Sequence, residues 1–131
     1  MKTILALSLT LAVLTVAHAQ NSGSLDEVLR KRDAVLTQIL ESTRNQYKQG
    51  TGTDDQVTDA TIRLYAFRRD SAKTPPERIQ WQERIVAIEK ENLASTTQRV
   101  KLGSATQLDE MLTEERVLAA EQKLLELRLA K

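Results

Sequence analysis

The chain has 131 residues, with 19 Lys+Arg against 18 Asp+Glu, one His, no Cys, and 3% aromatic residues within a 40% hydrophobic content. The absence of Cys excludes disulfides and thiolate-based metal or nucleophile sites. Near-neutral, interspersed charge gives no electrostatic footprint for nucleic acid.

The first segment reads as an address. Lys2 supplies a positive n-region, Ile4 to Ala17 is apolar, and Ala17-His18-Ala19 fits the small-x-small rule for signal peptidase. The pattern predicts a signal peptide over residues 1–19 and a mature chain from Gln20, secreted across the inner membrane to the periplasm. The run is shorter than the roughly 20 apolar residues of a membrane span. No Cys follows it, so no lipoprotein anchor is expected. Cleavage removes Lys2 and His18, leaving 18 Lys+Arg against 18 Asp+Glu in 112 residues. Without His, the mature chain has no means of His-based zinc, haem or di-iron ligation and no Ser-His-Asp system. It is expected to be a single helical domain over 20–131 with no membrane span.

Residues 20–23 form a polar leader. Ser24-Leu25-Asp26-Glu27 is a capping box, with Ser24 and Glu27 as reciprocal partners. Leu25, Val28, Leu29, Val35, Leu36, Ile39 and Leu40 then recur at helical steps. Gly50 suits the left-handed residue that ends such a helix. Thr53 restarts the chain with Asp54 and Asp55 in the first turn and Gln56 completing the box. The second helix carries Val57, Thr61, Leu64 and Phe67 or Arg68 on one side, and Pro75 and Pro76 close it. Thr74-Pro75-Pro76-Glu77 is at once a new start, with Thr74 as cap and Glu77 as its partner. The third helix carries Ile79, Trp81, Ile85, Ile88, Leu93, Thr96 and Val100 and ends at Gly103. Thr106 caps a fourth, whose broad stripe runs from Leu108, Met111 and Leu112 through Val117 and Leu118 to Leu124, Leu125, Leu127 and Leu129. No segment alternates with period two as a strand does.

The chain spells this design twice. A shift of 53 residues matches Ala34 to Ala87, Leu40 to Leu93, Ser42 to Ser95, Thr43 to Thr96 and Lys48 to Lys101. The same shift matches Gly50 to Gly103, Thr53 to Thr106, Arg63 to Arg116 and Ala66 to Ala119. The expected architecture is all-α: four helices as two tandem helix–glycine joint–helix repeats, about 24–73 and 74–131, in an antiparallel bundle or elongated coiled coil.

The second joint, Val100-Lys101-Leu102-Gly103-Ser104-Ala105-Thr106-Gln107-Leu108-Asp109-Glu110-Met111-Leu112, resembles a pattern that recurs in each structural repeat of the outer membrane efflux protein (TolC-like) family. There a Tyr-x-x-Gly precedes small residues, an Asp and an Ala- and Leu-rich helix. The first copy keeps Tyr47 and Gly50 but has Gln56 where the second has Asp109. The similarity covers about 25 residues per copy. Family members are several times longer and add strands to a membrane barrel. This chain has no segment of about ten alternating residues with aromatic girdles. The resemblance therefore implies only the helical periplasmic part, without a pore.

Residues that carry chemistry read more simply as structure. Asp54, Asp55 and Asp59 lack the spacing and closing Glu of a calcium loop and suit a helix start. Glu114 with Glu115, and Asp109 with Glu110, are sequence neighbours that point apart on a helix. Arg63, Arg68 and Arg69 have Asp59 and Asp70 nearby as pairing partners. Gly50-Thr51-Gly52-Thr53 lacks the Lys-Ser/Thr of a phosphate loop and follows a helix. Trp81, the only Trp, is expected in the core. No catalytic, metal or cofactor residue emerges, and no cofactor is expected. The reading is a non-enzymatic structural or interaction protein that packs helix to helix, by self-association or against an envelope protein. The alternative is a small periplasmic ligand-binding or chaperone-like module with a pocket beside Trp81.

Overall fold

The computed structural model describes the backbone of residues 10–130 and the side chains of residues 24–130. The first nine residues of the expected signal peptide lie outside the described residues. Four helices follow in order: α1 (Thr10–Lys48), α2 (Asp54–Ser71), α3 (Pro75–Lys101) and α4 (Gln107–Leu129). Among the described residues there is no strand, and no helix is long and apolar enough to cross a membrane. The fold is all-α, built as two helix–glycine joint–helix repeats.

The chain divides into two compact units, 1–34 and 35–131. In the first, the expected helix start at Ser24 is corrected. Ser24 lies well inside α1, with helical residues before it. In the interior of a helix the amides of residues 24–27 have carbonyls four residues upstream, so no orphan donors remain for a Ser24 cap to satisfy. Glu27 instead forms an i,i+4 ion pair with Lys31 at 2.6 Å. Both groups are exposed, so the pair adds only a few tenths of a kcal/mol.

In the second unit, short connections turn each helix back on its predecessor. Each helix places two apolar side chains in the core: Leu36 and Leu40 of α1, Leu64 and Phe67 of α2, Ile85 and Val86 of α3, Val117 and Ala120 of α4. Such side chains contribute about 1.5–3 kcal/mol each when fully buried, Ala much less. Leu64 and Phe67 are related to Val117 and Ala120 by the 53-residue shift, so the repeat in sequence is also a repeat in packing. Around Ile85, Val86 and Ala120, α2 adds Ile62, Tyr65 and Ala66, and α4 adds Leu124.

The two joints close with the same pair of backbone bonds. Gly50 and Gly103 adopt φ of +74° and +72°. The Gly50 amide donates to the Tyr47 carbonyl and the Thr51 amide to the Gln46 carbonyl, each at 3.0 Å. In the second joint Gly103 donates to Val100 at 3.0 Å and Ser104 to Arg99 at 2.9 Å. This pair of bonds is the Schellman motif, which requires a left-handed residue at the position after the cap. The Thr51 and Ser104 hydroxyls donate to the same Gln46 and Arg99 carbonyls, both at 3.1 Å.

Three of the four expected helix starts form. Thr53 exchanges bonds with Gln56, Thr74 with Glu77, and Thr106 with Asp109, each a complete capping box. Pro75 and Pro76 fill the first turn of α3, where the missing amide hydrogens have no intrahelical partner to lose.

Candidate interaction surface

One face of α3 carries a polar ladder that the apolar pattern does not reveal. Gln82, Glu89 and Thr96 are seven residues apart, and all three are buried. Seven residues is close to two helical turns, so the three side chains share one face. Gln82, only 1% exposed, donates through Nε2 to the Ala120 carbonyl at 2.8 Å and accepts from Arg69 Nη1 at 2.6 Å. The Glu89 side chain, 7% exposed, accepts through Oε1 from Arg116 Nε at 3.2 Å, while its Oε2 is buried without a hydrogen-bond partner. Arg116 also donates through Nη2 to Asp59 at 3.0 Å. Burial works against the Arg116 charge, but Glu89 and Asp59 outweigh it and raise its pKa. The shift by 53 maps Gln82, Glu89 and Thr96 onto Leu29, Leu36 and Thr43. A polar residue standing where the other repeat has Leu was the available signal for the ladder.

The acidic residues at the start of α2 are dispersed. Asp55 lies 3.9 Å from Arg99, and Asp59 meets Arg116. Together these link α2 to both helices of the second repeat. Among the described residues no three His, Cys, Asp or Glu side chains converge as a metal site would require. Asp109 Oδ2 accepts from the Thr106 amide and hydroxyl, both at 2.7 Å, and these bonds lower its pKa.

The basic residues of α2 also separate. Arg69 pairs with Asp70 at 2.7 Å and reaches Gln82. Arg68 donates to Thr37 Oγ1 at 3.3 Å and lies 5.3 Å from the centre of the Trp81 ring. Trp81 departs from its expected place in the core. It is half-buried, with Arg84 4.5 Å from its ring centre and Tyr65 at 5.2 Å on a tilted ring. The fully buried place belongs to its neighbour Gln82, because the α3 face turned inward passes one residue beyond Trp81. Such cation–π contacts contribute about 0.5–1 kcal/mol each at partly exposed sites.

The broad apolar stripe read along α4 turns mostly outward. Only Val117 of that stripe is buried. Thr113 and Ala120 fill the inward face beside it. Leu108, Met111, Leu112, Leu118, Leu125 and Leu129 are exposed, Met111 by 65% and Leu118 by 58%. Large apolar residues repeated along one outward helix face are unusual for a surface that meets only water. On the first repeat, Val35 and Ile39 of α1 are likewise exposed. Ile39 opens onto a groove of about 680 Å³ walled by Thr43 and Gln46 of α1 and by Asp59, Ala60 and Arg63 of α2. A second cleft, of about 450 Å³, lies against Thr58, Tyr65, Ile88 and Asn92. Trp81 is in the wall of neither.

The expected site residues thus sort by role. Gly50, Thr53, Gly103, Thr106, Thr74 and Glu77 shape the chain, and Ser24 and Glu27 do not cap it. The surface with binding character is the open face of α4, together with the α1–α2 groove. No family model, no curated protein and no solved structure matches this chain.

Proposed function

We propose that the protein is a non-enzymatic helical packing component of the cell envelope. In this reading residues 1–19 direct secretion to the periplasm and are removed. The mature chain then works by laying helix faces against other helices, in the manner of the helical part of outer membrane efflux (TolC-like) ducts, which its glycine joints resemble. The observation that carries the reading is the outward apolar face of α4, where Leu108, Met111, Leu112, Leu118 and Leu125 stand exposed on a helix whose other side is already packed. Burying such a face against a second helix would contribute about 25 cal/mol for each Å² of apolar surface removed from water. The joints support the reading by fixing where each long helix reverses.

The test is performed in a host with two membranes. A photo-reactive amino acid is placed at Leu118, and the chain is expressed from its full sequence and fractionated. The expected result is a periplasmic chain beginning at Gln20 that gives a discrete cross-link to a helical protein, itself included. A cytoplasmic chain retaining residues 1–19, or a periplasmic one with no adduct from Leu118 or Met111, would refute the proposal.

A further inference from the structure

The internal repeat indicates what covers the open faces. Within the chain, the second helix of the first repeat, α2, packs on the second repeat. Tyr65 and Ala66 lie against the α3–α4 core, Arg69 reaches Gln82, Asp59 meets Arg116, and Asp55 approaches Arg99. Shifting these α2 positions by 53 gives Leu118, Ala119, Gln122, Leu112 and Leu108 of α4, and all five are exposed. So α4 leaves in solvent the positions through which α2 touches the second repeat, where Tyr65, Ala66 and Arg69 are half-buried.

The receiving side is open in the same way. Arg99 and Arg116, which hold Asp55 and Asp59, correspond to Gln46 and Arg63. Ile88 and Asn92, which share a cleft with Tyr65, correspond to Val35 and Ile39. Gln46, Arg63, Val35 and Ile39 are all exposed, and three of them lie along or within the α1–α2 groove.

At three of these positions the residue types run opposite to what solvent alone favours. Where the contact is made inside the chain, the positions are Asp55, Asp59 and Asn92. Where the equivalent positions are open, they are Leu108, Leu112 and Ile39. A face left in water gains nothing from exchanging carboxylates and amides for Leu and Ile. A face covered by its counterpart does.

From these observations we infer that copies of this chain associate head to tail, the α4 face of one seated on the α1–α2 groove of the next as α2 is seated on α3–α4. The contact is heterologous, because the two surfaces are different parts of the molecule. Repetition then gives a closed ring or an open filament. The array is in effect a short tandem repeat with neither end capped. The inference rests on the reading of the protein as a helix-packing component and names its partner.

The lack of Cys permits a direct test by thiol mapping. Leu108→Cys and Gln46→Cys variants, both at exposed positions, are purified from the full-length coding sequence and treated with a short bifunctional thiol reagent. The expected result is a covalent dimer in the mixture of the two variants, and its loss when each variant is treated alone. Adding Leu112→Glu and Leu118→Glu to the first variant should abolish that dimer while leaving helicity unchanged. Linkage of Leu108→Cys to itself would mean an isologous α4–α4 contact and would overturn the inference. Failure of the mixture to link, in a chain that sediments as a monomer, would overturn it as well. The wider reading fails separately: it survives if Leu118 still cross-links another envelope protein in the cell, and falls only if that adduct is missing too.

Discussion

The Glu89–Arg116 contact makes an asymmetric prediction. Glu89 is buried, with Oε2 unpartnered and Oε1 held by Arg116, whose own side chain is 39% exposed and also engages Asp59. In Arg116→Met the carboxylate keeps its burial and loses its only described hydrogen bond. Breaking a buried pair from one side costs about 3–5 kcal/mol, and partial solvent access at Arg116 brings the expected loss to about 2–3 kcal/mol. In Glu89→Leu the stranded group is removed instead. Arg116 retains Asp59 and water, and Leu is what the first repeat carries at the corresponding Leu36. The expected change is within about 1 kcal/mol of zero. The double variant should lie close to Glu89→Leu alone, giving a coupling of about 1–3 kcal/mol. Urea unfolding followed by circular dichroism at 222 nm, with equal m-values across the set, measures all three. If Glu89→Leu costs more than Arg116→Met, the carboxylate is not the strained partner and the reasoning fails.

Other perturbations have equally definite outcomes. Gly50→Ala and Gly103→Ala should each cost about 1–2 kcal/mol. A methyl group at either glycine meets no atom within 4 Å, so the whole effect is the positive φ; similar losses at the two sites in thermal melts would bear this out, and a neutral result at either would contradict it. Thr53→Ala and Thr74→Ala should each cost about 1 kcal/mol, with fraying confined to the first turn of the helix in hydrogen exchange. Gln82→Ala removes two hydrogen bonds and leaves a void, so a loss of about 2–4 kcal/mol is expected, larger than for any exposed Gln. Asp109 has a lowered pKa, so its contribution to the start of α4 is present above the ordinary aspartate range and is lost as pH falls through and below it. Asp109→Asn should therefore flatten the acid limb of the pH–stability curve, and an unchanged limb would count against this role for the cap.

Much of the fold was legible because its signals are local. A glycine with a Thr three residues later, followed by an acidic or amide partner, specifies a helix end and a helix start within a few residues. The structure draws both joints accordingly. Orientation was not legible in the same way. The α4 stripe has the spacing of an amphipathic helix, but spacing does not say which side meets the neighbour. Thr113 and Ala120, both small, set the close inward face instead, and the Leu side chains turn out. The ladder of Gln82 and Glu89 was hidden for a related reason: apolar periodicity counts Leu and Ile and passes over polar residues that satisfy one another. Ser24 shows the remaining limit. A capping box is a capacity that acts only where a helix has free amides to cap.

The ladder also bears on how the helices find their alignment. A seam made only of Leu looks the same after a slide of seven residues, about 10.5 Å along the axis, so nothing opposes the slide strongly. Gln82 and Glu89 remove that degeneracy because each asks something different of its surroundings. A carboxylate moved into the place of Gln82 can accept from Arg69 but has no hydrogen to give the Ala120 carbonyl. A threonine moved into the place of Glu89 has no charge to offer Arg116. These two rungs therefore act as a vernier: a seven-residue slide of α3 against α2 and α4 leaves neither satisfied. The first repeat, with Leu at two of the three places, lacks those two rungs, and its helices are tied instead by the joint before α2 and by the Arg68 bond to Thr37.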